Sequence, residues 1–153
     1  MTNLPIIFSD ASFNPQTKIA VWGFLKNDAI VYGTLFNTSN IKAEIYAFDM
    51  AQKYADCDCL FGVDCEKVMS MGQEKGLNML KIKGHKPSKM KTEIDKKFSI
   101  IDKFVRKQLR IIIKTQNGTL VIGNNATIFK TETNNTTNID SDIVNYIVIL
   151  SII

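Results

Sequence analysis

The chain has 153 residues, of which 45% are hydrophobic and 22% charged, and it carries a net charge of +4. That is enough material for one well-buried core and close to the average of globular proteins, which excludes a disordered, collagen-like or coiled-coil chain. No apolar run reaches the roughly 18 to 20 residues of a membrane-spanning helix. MTNLPIIFSD has no signal-peptide pattern, so the expected setting is cytoplasmic, without a membrane partner. Cys57, Cys59 and Cys65 crowd into one short window, which suits reduced thiols better than a disulfide framework.

In chain order, the first predicted element is a buried strand over Leu4 to Ser9 that delivers Asp10 at its end, before the turn-like Asn14-Pro15. Lys18 to Leu25 and Ala29 to Leu35 are rich in β-branched and aromatic residues around the short polar turn Lys26-Asn27-Asp28, and complete a three-stranded meander. Thr38, Ser39 and Asn40 offer helix caps, and Ile41, Ile45, Phe48 and Ala55 recur at helical spacing, which predicts a helix over 40–55. Cys59 to Val63 is a fourth strand, closed by Asp64. A strand that returns after a helix usually enters the sheet parallel to an earlier one, which brings Asp64 back beside Asp10.

Glu66 to Met71 reads as a short helix, Leu77 to Lys83 as a fifth strand, and Gly84 to Ser88 as a loop. From Thr92 to Arg110 the apolar positions Ile94, Phe98, Ile101, Val105 and Leu109 draw one helical stripe with lysines outside it. Beyond Arg110, Ile111 to Lys114 and Thr119 to Ile122 flank Gln116-Asn117-Gly118 as a hairpin. Thr115 to Asn138 then holds thirteen Thr or Asn in 24 residues, poor material for a helix or core, and Asp142 to Ile153 is an apolar end. The expected organisation is an α/β domain over 1–110, with a mixed five-stranded sheet flanked by helices, and an extension over 111–153.

The charge is uneven. Lys81 to Lys114 holds twelve Lys or Arg against Glu93, Asp95 and Asp102, a local excess of +9 that leaves the remainder at −5. Clustered cations gain from counterion release along a phosphate backbone, so an anionic polymer is the favoured partner. Asp10, Glu44 and Asp64 are then the residues of chemical interest, because the coarse topology carries them toward one point. Converging carboxylates repel, and the usual relief is a raised pKa or a bound cation. An all-oxygen donor set favours hard ions such as magnesium.

These residues resemble the type 1 ribonuclease H family in their order. The matching pieces are Ser9-Asp10-Ala11-Ser12 with Asn14-Pro15, Asn40-Ile41-Lys42-Ala43-Glu44, Gly62-Val63-Asp64-Cys65, Lys83-Gly84-His85, and Ile101-Asp102-Lys103 with Arg106. The resemblance spans about residues 4 to 110. It implies a ribonuclease H-like fold and a metal-dependent endonuclease that hydrolyses the RNA strand of an RNA/DNA hybrid. Two Mg2+ ions, or Mn2+ in their place, would be held by Asp10, Glu44, Asp64 and an acid of the last helix, with His85 assisting proton transfer or product release. Two such ions activate a water on one side of a phosphodiester and stabilise the leaving oxygen on the other. Ser12, Asn14, Asn40, Lys83, Lys86 and Lys89 would contact the hybrid.

For the fourth acid, Asp95 and Asp102 are seven residues apart, about 10.5 Å along a helix, so only one reaches the ions. Asp95 falls at N3 behind a Thr92 cap, where a carboxylate serves the helix terminus. Asp102 is therefore favoured, although the interval from His85 to Asp95 is nearer that of the familiar bacterial enzymes. One departure concerns specificity: Ile41 stands where the family has a second asparagine that helps read the 2′ hydroxyl, the group that separates RNA from DNA. A noncatalytic nucleic-acid-binding domain and a related DNA nuclease or junction resolvase are the rival readings.

Overall fold

The computed structural model describes residues 4–83, 86–116, 127–130 and 144–149. The fold is α/β. Strands β1 (Ile6–Asn14), β2 (Ile19–Lys26) and β3 (Ala29–Leu35) form the antiparallel meander, α1 (Asn40–Lys53) follows, and β4 (Leu60–Val63) and β5 (Asn78–Lys81) enclose α2 (Glu66–Glu74). After a single 3-10 turn at Ser88–Met90, the long helix α3 runs over Glu93–Gln116. β4 lies parallel to β1, and β5 parallel to β4, so the mixed five-stranded sheet of the sequence reading is present in the order β5-β4-β1-β2-β3.

The alternation of side chains along the strands sorts the core into two layers. On one face Phe8, Val21, Ile30 and Tyr32 pack against Phe98, Ile101, Val105 and Leu109 of α3. On the other, Ile7, Trp22 and Phe24 meet Ala47, Phe48 and Ala51 of α1, together with Phe61, Val63 and Val68. Alanines at 43, 47 and 51, all fully buried, let α1 approach the sheet closely, while Phe48 fills the interlayer space. Burying a side chain of that size contributes about 1.5–3 kcal/mol.

Of the boundaries that differ from the sequence reading, two have a clear physical cause. β1 does not stop at Ser9; it pairs with β2 along its whole length, from Ile7 opposite Lys26 to Asn14 opposite Ile19. Asp10 thus lies inside a strand, where its polar neighbours Ser9 and Ser12 hid the alternation. The hairpin expected from Ile111 is replaced, as far as Gln116, by the last turns of α3. Three consecutive isoleucines favour a strand by propensity, but Ile112 and Ile113 extend the apolar stripe onto the core, and that packing decides. The remainder of that hairpin, Asn117 to Ile122, lies outside the described residues.

Within the extension, β6 (Thr127–Lys130) and β7 (Val144–Ile149) continue the sheet, with β7 antiparallel to β3. The polar segment therefore includes a strand, and the apolar end covers a sheet edge. No helix among the described residues is long and apolar enough to cross a membrane.

Gly23 sits directly opposite Asp10 in the β1–β2 ladder. A Cβ there would meet Ile101 Cδ1 at 3.0 Å, Val105 Cγ1 at 3.1 Å and Tyr32 Cβ at 3.3 Å, so the missing side chain sets how closely α3 approaches β2. Gly23→Val is expected to lower stability by about 1–3 kcal/mol, the usual cost of overpacking a core. Urea unfolding checks this, and an unchanged midpoint would show that α3 has slack.

Candidate metal centre

Asp10 and Asp64 are brought together by register. Phe8 pairs with Gly62 where β1 and β4 end their parallel contact, and each acid lies two residues further on, so both fall on the same side of the sheet. A Cβ at Gly62 would stand 2.7 Å from Phe8 Cδ1, which is why this crossing takes a glycine. The Lys81 ammonium holds the start of the β4–α2 connection by donating to the Asp64 carbonyl and pairing with Glu66 at 3.0 Å. The Ile82 amide donates to the Val63 carbonyl at 2.8 Å and continues the ladder beside it.

Glu44 comes from the first turns of α1. The Ser39 hydroxyl oxygen accepts from the Lys42 amide at 3.2 Å, and this cap fixes the helix start, leaving Asn40 and Ile41 outside and Ala43 and Glu44 inside. Asp10 is 3% exposed and Glu44 9%, and Asp64 is half-buried. Each of the three offers a carboxylate oxygen, and those oxygens all lie within 4.8 Å of one another.

Asp102, half-buried on α3, is not one of these three but stands near them. It stands close enough to share a proton with Asp10 and adds its charge to both Asp10 and Glu44. Burial, followed by the negative charges of Glu44 and Asp64, holds the Asp10 carboxyl well above the ordinary carboxylate range. Burial and then Asp64 push Glu44 up to about 8, against relief from hydrogen bonds to Asp10 and to the Ala11 backbone. Asp10 Oδ2 is buried with no hydrogen-bond partner among the described residues. An orphaned carboxylate oxygen amid like charges is a deficit that a cation removes. The buried acidic cluster of Asp10, Glu44 and Asp64 can therefore hold a metal ion, and its all-oxygen donors suit a hard divalent one.

Asp95 is used otherwise. Its Oδ2 accepts from the Thr92 amide and the Thr92 hydroxyl, both at 2.9 Å, and from Lys86 Nζ at 3.1 Å, while its own amide donates to Thr92 Oγ1 at 3.3 Å. This reciprocal cap occupies the carboxylate at the helix terminus. Asp102 instead takes Arg106 Nε on Oδ1 at 3.1 Å and Arg106 Nη2 on Oδ2, a two-point grip from one turn further along.

The other expected contact residues are scattered around the acids. Asn40, Lys83 and Lys89 are exposed, Ser12 is half-buried on β1, and Lys86 is engaged by Asp95. Asn14 Oδ1 is committed to the β1–β2 turn, where it accepts from the amides of Gln16 and Thr17 at 3.0 and 2.9 Å. His85 lies outside the described residues. Cys57, Cys59 and Cys65 are free thiols. Sequence reasoning missed Lys81 and Gly23: only the strand register reveals that the one supports the Asp64 backbone and that the other faces Asp10.

No protein-family model matches the chain, and no curated protein matches it in sequence.

A carboxyl with a raised folded pKa keeps its proton where the unfolded chain has released it, so folding stability falls as pH rises through that interval. For Glu44 the interval runs from its ordinary 4.5 to about 8, and Asp10 acts in the same direction. The expected outcome is that, without divalent ions, the melting temperature falls between about pH 4.5 and 8, that Glu44→Gln flattens the fall, and that added magnesium opposes it. Thermal melts across that range decide the matter, and a profile identical in Glu44→Gln would contradict it.

Proposed function

We propose that this chain is a metal-dependent endonuclease of the type 1 ribonuclease H family, hydrolysing the RNA strand of RNA/DNA hybrids. The observation that carries the reading is the meeting of Asp10, Glu44 and Asp64 from β1, α1 and the end of β4, with Asp102 of α3 near enough to act on Asp10, in the chain order that the family resemblance implies. In this reading the four carboxylates hold two Mg2+ ions, for which Mn2+ can substitute. When bound, the ions supply an activated water and charge stabilisation for the leaving oxygen.

The chain's own residues supply the rest. β1 and β4 fix Asp10 and Asp64 through their register, the Ser39 cap fixes Glu44, and Arg106 steadies the Asp102 carboxylate from one turn along α3. The lysines of the β5–α3 connection and of α3 attract the phosphate backbone. Ser12, Asn14 and Asn40 lie on the β1 and α1 side, where contacts to the hybrid are assigned, and His85 keeps its assignment to proton transfer or product release.

Ile41 favours a second reading, cleavage of duplex or branched DNA. It is 44% exposed beside Asn40, an apolar side chain where the resemblance calls for a group that reads the 2′ hydroxyl.

The test is incubation with magnesium and labelled RNA/DNA hybrid, duplex DNA, branched DNA, duplex RNA and single-stranded RNA. Hybrid-only cleavage, lowered by about 10²–10³ in Asp10→Asn, is the expected result, a loss in the range that removal of one charge-stabilising group produces. Cleavage of DNA would move the assignment to the second reading, and salt-sensitive binding without cleavage would leave a noncatalytic domain.

A paired substitution addresses the helix acids. Asp102→Asn is expected to lose most activity while its unfolding midpoint stays near that of the parent. Asp95→Asn is expected to lower the midpoint and keep most of the activity. The reverse pattern would place the fourth ligand at Asp95.

A further inference from the structure

Next to the acid cluster lies a cleft of about 210 Å³ between the segment after β5 and the first half of α3. Its charged lining is five cations, Lys83, Lys86, Lys91, Lys103 and Arg106, against three acids, Asp64, Asp95 and Asp102. Two of those cations are spent inside the protein, Lys86 on Asp95 at 3.1 Å and Arg106 on Asp102. Asp64 belongs to the metal cluster. What faces the cleft uncompensated is Lys83, Lys91 and Lys103.

Lys91 is the distinctive member. It is half-buried, and its ammonium donates to Ser99 Oγ at 2.9 Å, while that hydroxyl donates in turn to the Asp95 carbonyl at 2.9 Å. An ammonium has three protons, so two remain for an anion, and the hydroxyl chain keeps the lysine directed along α3. Ile82 and Phe98 add an apolar wall, and lower local polarity strengthens any charge pairing inside. The volume is below the roughly 300–1,000 Å³ typical of sites for whole small molecules, so a single anionic group fits better than a nucleotide.

We propose that this cleft is a phosphate subsite, in which Lys83, Lys91 and Lys103 hold one backbone phosphate of the nucleic acid beside the phosphodiester presented to the acid cluster. The inference rests on the nucleic-acid reading of the site and adds where the backbone is gripped. It also revises the set of binding lysines: Lys83 stays, Lys86 is tied to Asp95, Lys91 takes a defined place in the cleft, and Lys103 is added.

The experiment measures binding of a labelled RNA/DNA hybrid to the full chain in an Asp10→Asn background, by fluorescence anisotropy over a range of salt. Combined Lys83→Gln, Lys91→Gln and Lys103→Gln is compared with Lys18→Gln, Lys53→Gln and Lys67→Gln, exposed lysines outside the cleft, so that both variants lose the same charge. The cleft variant is expected to bind at least about tenfold more weakly, with the slope of log affinity against log salt reduced by about one, the change expected when a single phosphate is no longer neutralised. The control variant is expected to stay within about twofold of the parent, because salt screens charges that lie far from the bound backbone.

Equal weakening in both variants overturns the subsite, because general charge would then account for binding. Unchanged affinity in the cleft variant overturns it as well. Inorganic phosphate, titrated calorimetrically at matched ionic strength, separates the sources: no saturable binding assigns the cleft to the polymer, and saturable binding together with unaltered hybrid affinity overturns that assignment. A wild-type chain that cleaves no substrate yet shows the cleft-specific loss keeps the subsite and removes the nuclease reading, so the two fail separately.

Discussion

The constraint on which the site depends is electrostatic repulsion among carboxylates that the fold forces together. Asp10 and Glu44 are buried, their acids are pushed above the ordinary range by desolvation and by neighbouring negative charge, and one Asp10 oxygen has no partner among the described residues. Left alone, such a cluster works against folding. It persists because the backbone around it is over-determined by β1–β2 pairing along a whole strand, a parallel β1–β4 crossing packed at Gly62, and a capped α1. The hydrophobic layers on both faces of the sheet supply the stability that holds these groups in place.

The architecture has an opening where the acids meet. β1 runs on to Asn14, but its ladder with β4 ends at Phe8, so beyond that point β1 loses its parallel neighbour. α1 packs against one face of the sheet and α3 against the other, and the end of β4 is where residues from both layers can converge. Glu44 reaches the cluster from the α1 layer and Asp102 from the α3 layer, with Asp10 between them. Gly23, across from Asp10, lets α3 come close to the sheet at Ile101 and Val105, the stretch that carries Asp102.

Much of this was legible in the sequence where periodicity was long. The stripe from Ile94 to Leu109 marked α3 and its buried face, and the strand–helix–strand order carried Asp10, Glu44 and Asp64 to one place. The Thr92-Asp95 spacing also separated a capping acid from Asp102. What failed was local and short. Ser9, Asp10 and Ser12 broke the apolar pattern of β1 although hydrogen bonding to β2 continues through them. Ile111 to Ile113 carry strand propensity, yet the helix continues through them because Ile112 and Ile113 still find the core. The pairing of β7 with β3 depends on residues far apart in sequence, which no local signal announces.

Arg106 links the site's two electrostatic halves. The chain places an excess of +9 in Lys81 to Lys114 directly beside a cluster of acids, and Arg106 is where the two meet, gripping both Asp102 oxygens and feeling Asp10 and Asp64. A guanidinium at that position lowers the cluster's repulsion without entering it. Ion pairs of this i, i+4 kind on half-exposed helix faces contribute only about 0.3–0.5 kcal/mol. A pair that weak does not tie the Asp102 carboxylate firmly to Arg106. Arg106 thus tempers the repulsion at the edge of the cluster, while the Asp10 oxygen without a partner among the described residues stays uncompensated.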